Sequence, residues 1–259
     1  MNLKKAAIVA IALLIAVISI TRIATFAGSA DNHSHSIEQT EEKINTVITL
    51  SGGAAGTSAT LSLLPGDICT PLAEQTAELA TYFLLILSAL YLEKFLITLS
   101  GYITFGILIP LACILFCAAV ISGKKQLYTI SAKIGLVGII VFLIVPASVT
   151  LSDMVYRTQE DQVMNTISEY NDLDIEGDSD TGFLGDLTSI TTTTIDKITN
   201  FISSMMESLA VMIVTACIIP ILVFVALSWI MKTLFASNVL TIDPSSVDEM
   251  IKKISSKKQ

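Results

Sequence analysis

The stretch YITFGILIPLACILFCAAVIS, residues 102–122, runs for 21 positions without a charged side chain. An α-helix rises 1.5 Å per residue, so about 20 apolar residues cross the roughly 30 Å of hydrocarbon in a bilayer. This stretch therefore reads as a transmembrane helix. Residues 134–152 and 208–231 have the same character and also lack Asp, Glu, His, Lys and Arg. Each of the three contains one proline, Pro110, Pro146 or Pro220, which a span tolerates as a kink. The fold class expected is an all-α integral membrane protein, with three or four transmembrane helices extending into a helical, acidic extracytoplasmic bundle.

Composition agrees. Of the 259 residues, 53% are hydrophobic and 15% charged, and the mean hydropathy is +0.73. Soluble domains carry about 25% charged residues, so much of this surface faces something other than water. The net charge of −8 argues against a nucleic-acid partner, which selects basic faces. Membrane lipid is the first partner implied.

Outward from residue 102 lies a more ambiguous apolar segment. Leu79 to Leu92 is a run of 14 residues, interrupted by Glu93-Lys94 and resumed by Phe95 to Leu99. Upstream, Ala6 to Ile20 follows Lys4 and Lys5 and leads to Ala27-Gly28-Ser29-Ala30. That is the layout of a secretory signal, with possible cleavage near Ala30; the same segment serves equally as an uncleaved first span. Residues 1–30 are thus a signal peptide or an N-terminal signal anchor.

Lys and Arg near span ends set orientation. Lys124, Lys125 and Lys133 lie in a segment without acidic residues, and Lys232, Lys252, Lys253, Lys257 and Lys258 follow the last apolar stretch; both places read as cytoplasmic. Asp31 to Glu78 holds seven acidic residues and one lysine, and Asp153 to Asp180 nine and one arginine; both read as exterior. For the 123–133 loop and the tail to lie inside, one of the five apolar stretches must not cross. Residues 79–99 are the candidate, because their continuous run is short and a Glu-Lys pair is costly at mid-membrane. The organisation expected is an extracytoplasmic segment 31–101 containing the non-crossing or re-entrant helix 79–99, a span at 102–122, a cytoplasmic loop at 123–133 and a span at 134–152. An extracytoplasmic helical hairpin at 153–207, a span at 208–231 and a cytoplasmic basic tail at 232–259 complete it.

Within the exterior part, Tyr156, Val163, Ile167 and Tyr170 recur at helical spacing, as do Leu184, Leu187 and Ile190, then Ile195, Ile198, Ile202 and Met205. Ile37, Ile44 and Ile48 suggest a shorter stripe. Thr49 to Pro65, rich in Ser, Gly, Ala and Thr, reads as a flexible connector, since no Lys follows its glycines as a phosphate loop requires.

Candidate sites are few. Asp172, Asp174, Glu176, Asp178 and Asp180 alternate around Gly177 in the manner of a calcium loop, D-x-[DN]-x-[DN]-G. Phe183 stands where a bidentate Glu belongs, and Glu176 is long for its position, so the 171–183 loop reads equally as a solvated acidic connector. Calcium is the one cofactor considered. His33 and His35 cannot complete a zinc site by themselves and fall in a polar segment expected to be disordered. Glu93 and Lys94, adjacent on a helix, point about 100° apart and need not pair with each other. Cys113 and Cys117, one turn apart in an apolar helix, read as small packing residues, and no disulfide framework is expected.

No nucleophile–base pair can be assembled from these residues, and the three best spans lack the ionisable groups of coupled transporters. The function expected is a non-enzymatic membrane protein of a bacterial cytoplasmic membrane, whose helical exterior serves assembly or partner binding through self-association or a protein partner. The alternative is an oligomeric channel or passive transporter lined by Thr and Ser.

Overall fold

The computed structural model describes residues 3–63, 69–172 and 192–236. Every element among them is helical: α1 (Leu3–Ile18), a π-helical turn π1 (Ser19–Ile23), α2 (Ala24–Ala27), a 3₁₀ turn (Ala30–His33), α3 (Ser34–Ser62), α4 (Cys69–Ile103), π2 (Thr104–Leu108), α5 (Ile109–Ser122), α6 (Lys125–Arg157), α7 (Glu160–Asp172), α8 (Thr192–Ile213), π3 (Val214–Ile218) and α9 (Ile219–Ala236). Four helical stretches are long and apolar enough to cross a membrane: Lys5–Ala27, Cys69–Ser122, Lys125–Arg157 and Asp196–Ala236.

The sequence pattern divides residues 79–99 from 102–122, whereas the chain makes one 54-residue helix from Cys69 to Ser122. Gly101 does not end it, because its missing side chain is used for packing rather than for a turn. The prolines explain two of the three π turns. A proline ring collides with the carbonyl of residue i−4 and offers it no N–H. For Pro110 that carbonyl belongs to Gly106, inside π2, and for Pro220 to Ala216, inside π3. Widening the turn accommodates the ring without breaking the helix. Gly123 ends α5 in the left-handed conformation (φ 65°), its N–H bonded to Ala119 O at 2.8 Å, which leaves Lys124 to link directly into α6.

The chain forms two compact units. The first comprises Met1–His35, Phe95–Ala147 and Leu222–Gln259. Its helices are tied by hydroxyls to main-chain carbonyls: Ser19 donates to Phe105 O (2.6 Å), Thr104 to Gly138 O (3.1 Å) and Ser131 to Ala112 O (2.8 Å). His33, expected in a disordered segment, is instead buried. Its Nε2 is bonded to Ala27 O at 2.8 Å and its ring stands edge-on to Phe142, so it satisfies a carbonyl left open where α2 ends.

The second unit, Ser36–Lys94 and Ser148–Ile221, packs α3, α4, the end of α6, α7, α8 and π3 around one core. α3 and α4 run antiparallel, as the bonds Ser58 Oγ to Ala73 O (2.8 Å) and Ser51 Oγ to Ala80 O (3.4 Å) record. α7 and α8 do likewise, Gln162 Nε2 donating to Glu207 Oε2 (2.6 Å) and Thr166 Oγ1 to Ser204 O (3.1 Å). Tyr156 and Val163 are buried in the common core with Ile198, Ile202 and Met205, and Ile167 and Tyr170 pack against it, so these members of the two stripes turn inward as their spacing requires; Leu184, Leu187, Ile190 and the Ile195 side chain lie outside the described residues.

α3 departs from expectation twice. Its buried edge is Ser36, Thr40, Lys43, Val47, Leu50, Ala54, Thr57 and Leu61, spaced alternately by four and three, while Ile48 faces outward. That is a heptad seam, the packing of antiparallel bundles. The segment expected as a flexible connector is helical through Ser62, and its glycines have a packing role. A Cβ on Gly53 would lie 3.3 Å from the Tyr170 ring, and one on Gly56 3.2 Å from the Tyr170 hydroxyl. Together they leave the ring a flat seat.

Candidate functional site

The seam of α4 reads Phe83, Ile86, Leu90, Glu93 and Ile97, all buried. The same 3–4 spacing that buries the apolar members carries Glu93 inward, leaving 7% of it exposed, and turns Lys94 outward to Glu41, 2.6 Å away. The pair in sequence is thus not a pair in space. On α3 the seam brings in Lys43, which is 0% exposed. Two helices therefore each place one ionisable group inside the bundle.

α6 and π3 supply the remaining polar groups. Lys43 Nζ donates to Ser152 Oγ at 2.7 Å, and Ser152 Oγ donates in turn to Thr215 O at 2.7 Å. Thr215 lies in π3, where the helical ladder is widened, so a side-chain hydroxyl caps a carbonyl of that turn. Asp153 Oδ2 accepts from Gln39 Nε2 (2.7 Å) and from Arg157 Nε (2.9 Å). Arg157 also reaches Glu42 at 3.6 Å on the exposed rim. The Lys43 ammonium lies 5.9 Å from the centre of the Tyr156 ring, within cation–π range.

Glu93 is the exception. Among the described residues neither carboxylate oxygen has a hydrogen-bond partner, and Gln39 Oε1 and Asp153 Oδ1 are likewise unpartnered. Burial holds the Lys43 amine below the ordinary lysine value; the field of Glu93, then those of Asp153 and Glu42, work against it. The buried layer thus contains one cation held by a single hydroxyl and one carboxylate held by none.

Neither a family model, nor a curated protein, nor a solved structure matches this chain. The site must be read from its own chemistry.

Of the acidic residues expected to form a calcium loop, Asp172 closes α7; Asp174, Glu176, Asp178 and Asp180 lie outside the described residues. Among the described residues, no three His, Cys, Asp or Glu side chains are grouped to hold a metal ion. Cys113 and Cys117 are free thiols. Cys113 lines an apolar groove of about 360 Å³ in the first unit, with Ile8, Ile11, Ile15, Ile109 and Phe116.

Sequence reading examined Glu93 and Lys94 as a pair and passed over Lys43. The signal was available: counting by threes and fours from Phe83, Ile86 and Leu90 reaches Glu93, and counting back from Leu50 and Val47 reaches Lys43. A serine–lysine contact also raises the question of nucleophilic catalysis, in which a lysine takes the hydroxyl proton. Here the Ser152 hydroxyl proton points to Thr215 O, and both Lys43 and Ser152 are fully buried, so a substrate has no approach.

Proposed function

We propose that this chain is a non-enzymatic multi-pass protein of a bacterial cytoplasmic membrane, whose second unit is an extracytoplasmic helical module for assembly, by self-association or with a protein partner. The observation that carries the reading is the outer face of α4. Tyr82, Leu84, Leu85, Tyr91 and Leu92 are exposed, and no charged residue lies between Glu78 and Glu93. An exposed stripe of large apolar side chains on a helix away from its own core, with only the small hydroxyls of Thr81 and Ser88 among them, marks a contact surface. Lipid meets the corresponding faces of the first unit.

Four crossings fit the charge pattern, with the N-terminus and C-terminus both cytoplasmic. The Cys69–Ser122 helix is about 80 Å long at 1.5 Å per residue, far more than one crossing needs, so its two apolar halves count as one crossing. Lys133, in the loop assigned to the cytoplasm, donates to Phe235 O at the end of α9 (3.0 Å), which supports the same side for both. The close fit of Ala27 against Gly101 supports retention of residues 1–30 as a signal anchor rather than their removal.

The channel alternative is favoured by one observation, the ionisable layer of Lys43 and Glu93 inside the bundle, since such groups mark ion or proton routes in membrane proteins. Two measurements separate the readings. In a background without native cysteines, Leu85→Cys and Leu92→Cys are expected to cross-link to a neighbouring chain in intact cells, while liposomes containing the pure protein pass no solute. Solute flux with no cross-link would replace assembly by conduction. For topology, Glu41→Cys should react with an impermeant thiol reagent added to cells and Lys124→Cys should not; labelling of position 124 overturns the orientation.

A further inference from the structure

We propose that Lys43 and Glu93 form one proton-binding site inside the second unit, holding a single proton between them and keeping the pair without net charge. The site does not depend on what covers the outer face of α4.

The geometry defines it. Lys43 has lost all contact with solvent and keeps one hydroxyl partner, while Glu93 is more than nine-tenths buried with no partner among the described residues. The other groups that face the pair come from three elements. Glu42 precedes it on α3; Asp153, Tyr156 and Arg157 face it from α6; and Cys217 on π3 stands beside Glu93. Asp153 is engaged, its Oδ2 accepting from both Gln39 and Arg157. Glu93 is not, and it is the carboxylate whose field acts most strongly on Lys43.

In a medium of low dielectric, a lone charge of either sign costs more than a neutral pair. Adding a second proton leaves a lone ammonium, and removing the last proton leaves a lone carboxylate. Both are disfavoured, so the one-proton form persists over a wide range of pH. That form has two members, ammonium with carboxylate and amine with carboxylic acid. They differ only in whether the proton sits on Nζ or on a Glu93 oxygen, and they titrate as one unit. Nothing is gained or lost when they interconvert.

The test is the thermal midpoint of the purified full chain in detergent, followed between about pH 5 and 10, the range that separates ordinary Glu from ordinary Lys values. Glu93→Gln leaves Lys43 without its main counter-charge. Its folded-state value then lies below its unfolded one, the unfolded chain binds more protons in between, and stability rises with pH across that window. The full effect is about 3–5 °C per pH unit for a chain of this size. Lys43→Met leaves a lone carboxyl that the fold keeps as the acid, so stability falls as pH rises. The double variant should be as flat as the wild type. Slopes of one sign in the two single variants, or a wild type as steep as either, overturn the proposal. Should Lys43→Met not fold, wild type against Glu93→Gln decides alone, and equal slopes overturn it.

Discussion

Gly101 meets the main chain of Ala27 with no space for a side chain between them: a Cβ at position 101 would stand 2.0 Å from the Ala27 carbonyl oxygen and 2.5 Å from its carbonyl carbon. Ala24 and Ala27 are buried on the other side of the crossing. Between apolar helices in a membrane there is little hydrophobic gain on association, so close backbone approach through small residues supplies the packing. This contact holds the end of the Lys5–Ala27 helix against α4.

Gly101→Ala should therefore lower the thermal stability of the purified protein. Overpacking costs about 1–3 kcal/mol, and the upper end is expected because the obstacle is backbone rather than a flexible side chain. Gly52→Ala is the control. It lies within α3 and a Cβ there meets nothing within 4 Å, so it should gain about 0.5–1 kcal/mol from helix propensity alone. Equal effects at the two glycines would remove the argument from packing.

Two lysines separate surface from interior charge. Lys94 and Glu41 form an ion pair with 35% and 51% of their side chains exposed, so Lys94→Ala should cost no more than about 1 kcal/mol and less in high salt. Lys43→Ala leaves Glu93 without its counter-charge, so the fold must protonate it or bury it as a lone carboxylate, and should cost about 3–5 kcal/mol, with little salt dependence. Denaturant titration in low and high salt reads both.

Ser152 links the buried cation to the π turn. Ser152→Ala removes the acceptor of Lys43 and the donor to Thr215 O together. Buried groups left unpaired cost about 1–3 kcal/mol each, so a loss of about 2 kcal/mol or more is expected in thermal or chemical unfolding. Ser88→Ala, which removes only an exposed bond to the carbonyl one turn back, should stay within about 0.5 kcal/mol. A silent Ser152→Ala would mean that the carbonyl of π3 needs no cap.

The long apolar helices, apart from the join at residues 99–102, and the inward-facing Val163, Ile198, Ile202 and Met205 could be read directly from charge-free runs and helical spacing. The α3 seam could not. Half of it is Ser36, Thr40, Lys43 and Thr57, which carry no apolar signal, while Ile48 points away from the core. Residues 49–65 read as a connector because glycine is ordinarily a helix breaker; their partner, Tyr170, lies more than a hundred positions away, where no local rule can see it. The Glu93 site was missed for a related reason. Judged by its neighbour in sequence it belongs with Lys94, and only the position of α4 in a bundle turns the two apart.

Tyr170 and its glycine seat allow the packing role of residues 49–65 to be tested by sign rather than by size. The ring stacks on Phe201, with centroids 6.0 Å apart and planes at 28°, and rests on Gly53 with no slack. Gly53→Ala introduces a methyl 3.3 Å from the ring carbons, tighter than ordinary contact, so in the wild-type background it should destabilise by about 1 kcal/mol or more. Tyr170→Ala should itself cost about 3 kcal/mol, the lower end for an aromatic that packs at the edge of a core. With the ring removed, the methyl at position 53 meets no obstacle and the helix-propensity gain of about 0.5–1 kcal/mol is all that remains. Gly53→Ala should therefore change from destabilising to stabilising in the Tyr170→Ala background, a coupling of about 2 kcal/mol in a double-mutant cycle. If the two substitutions simply add, Gly53 is a glycine for some reason other than the ring it seats.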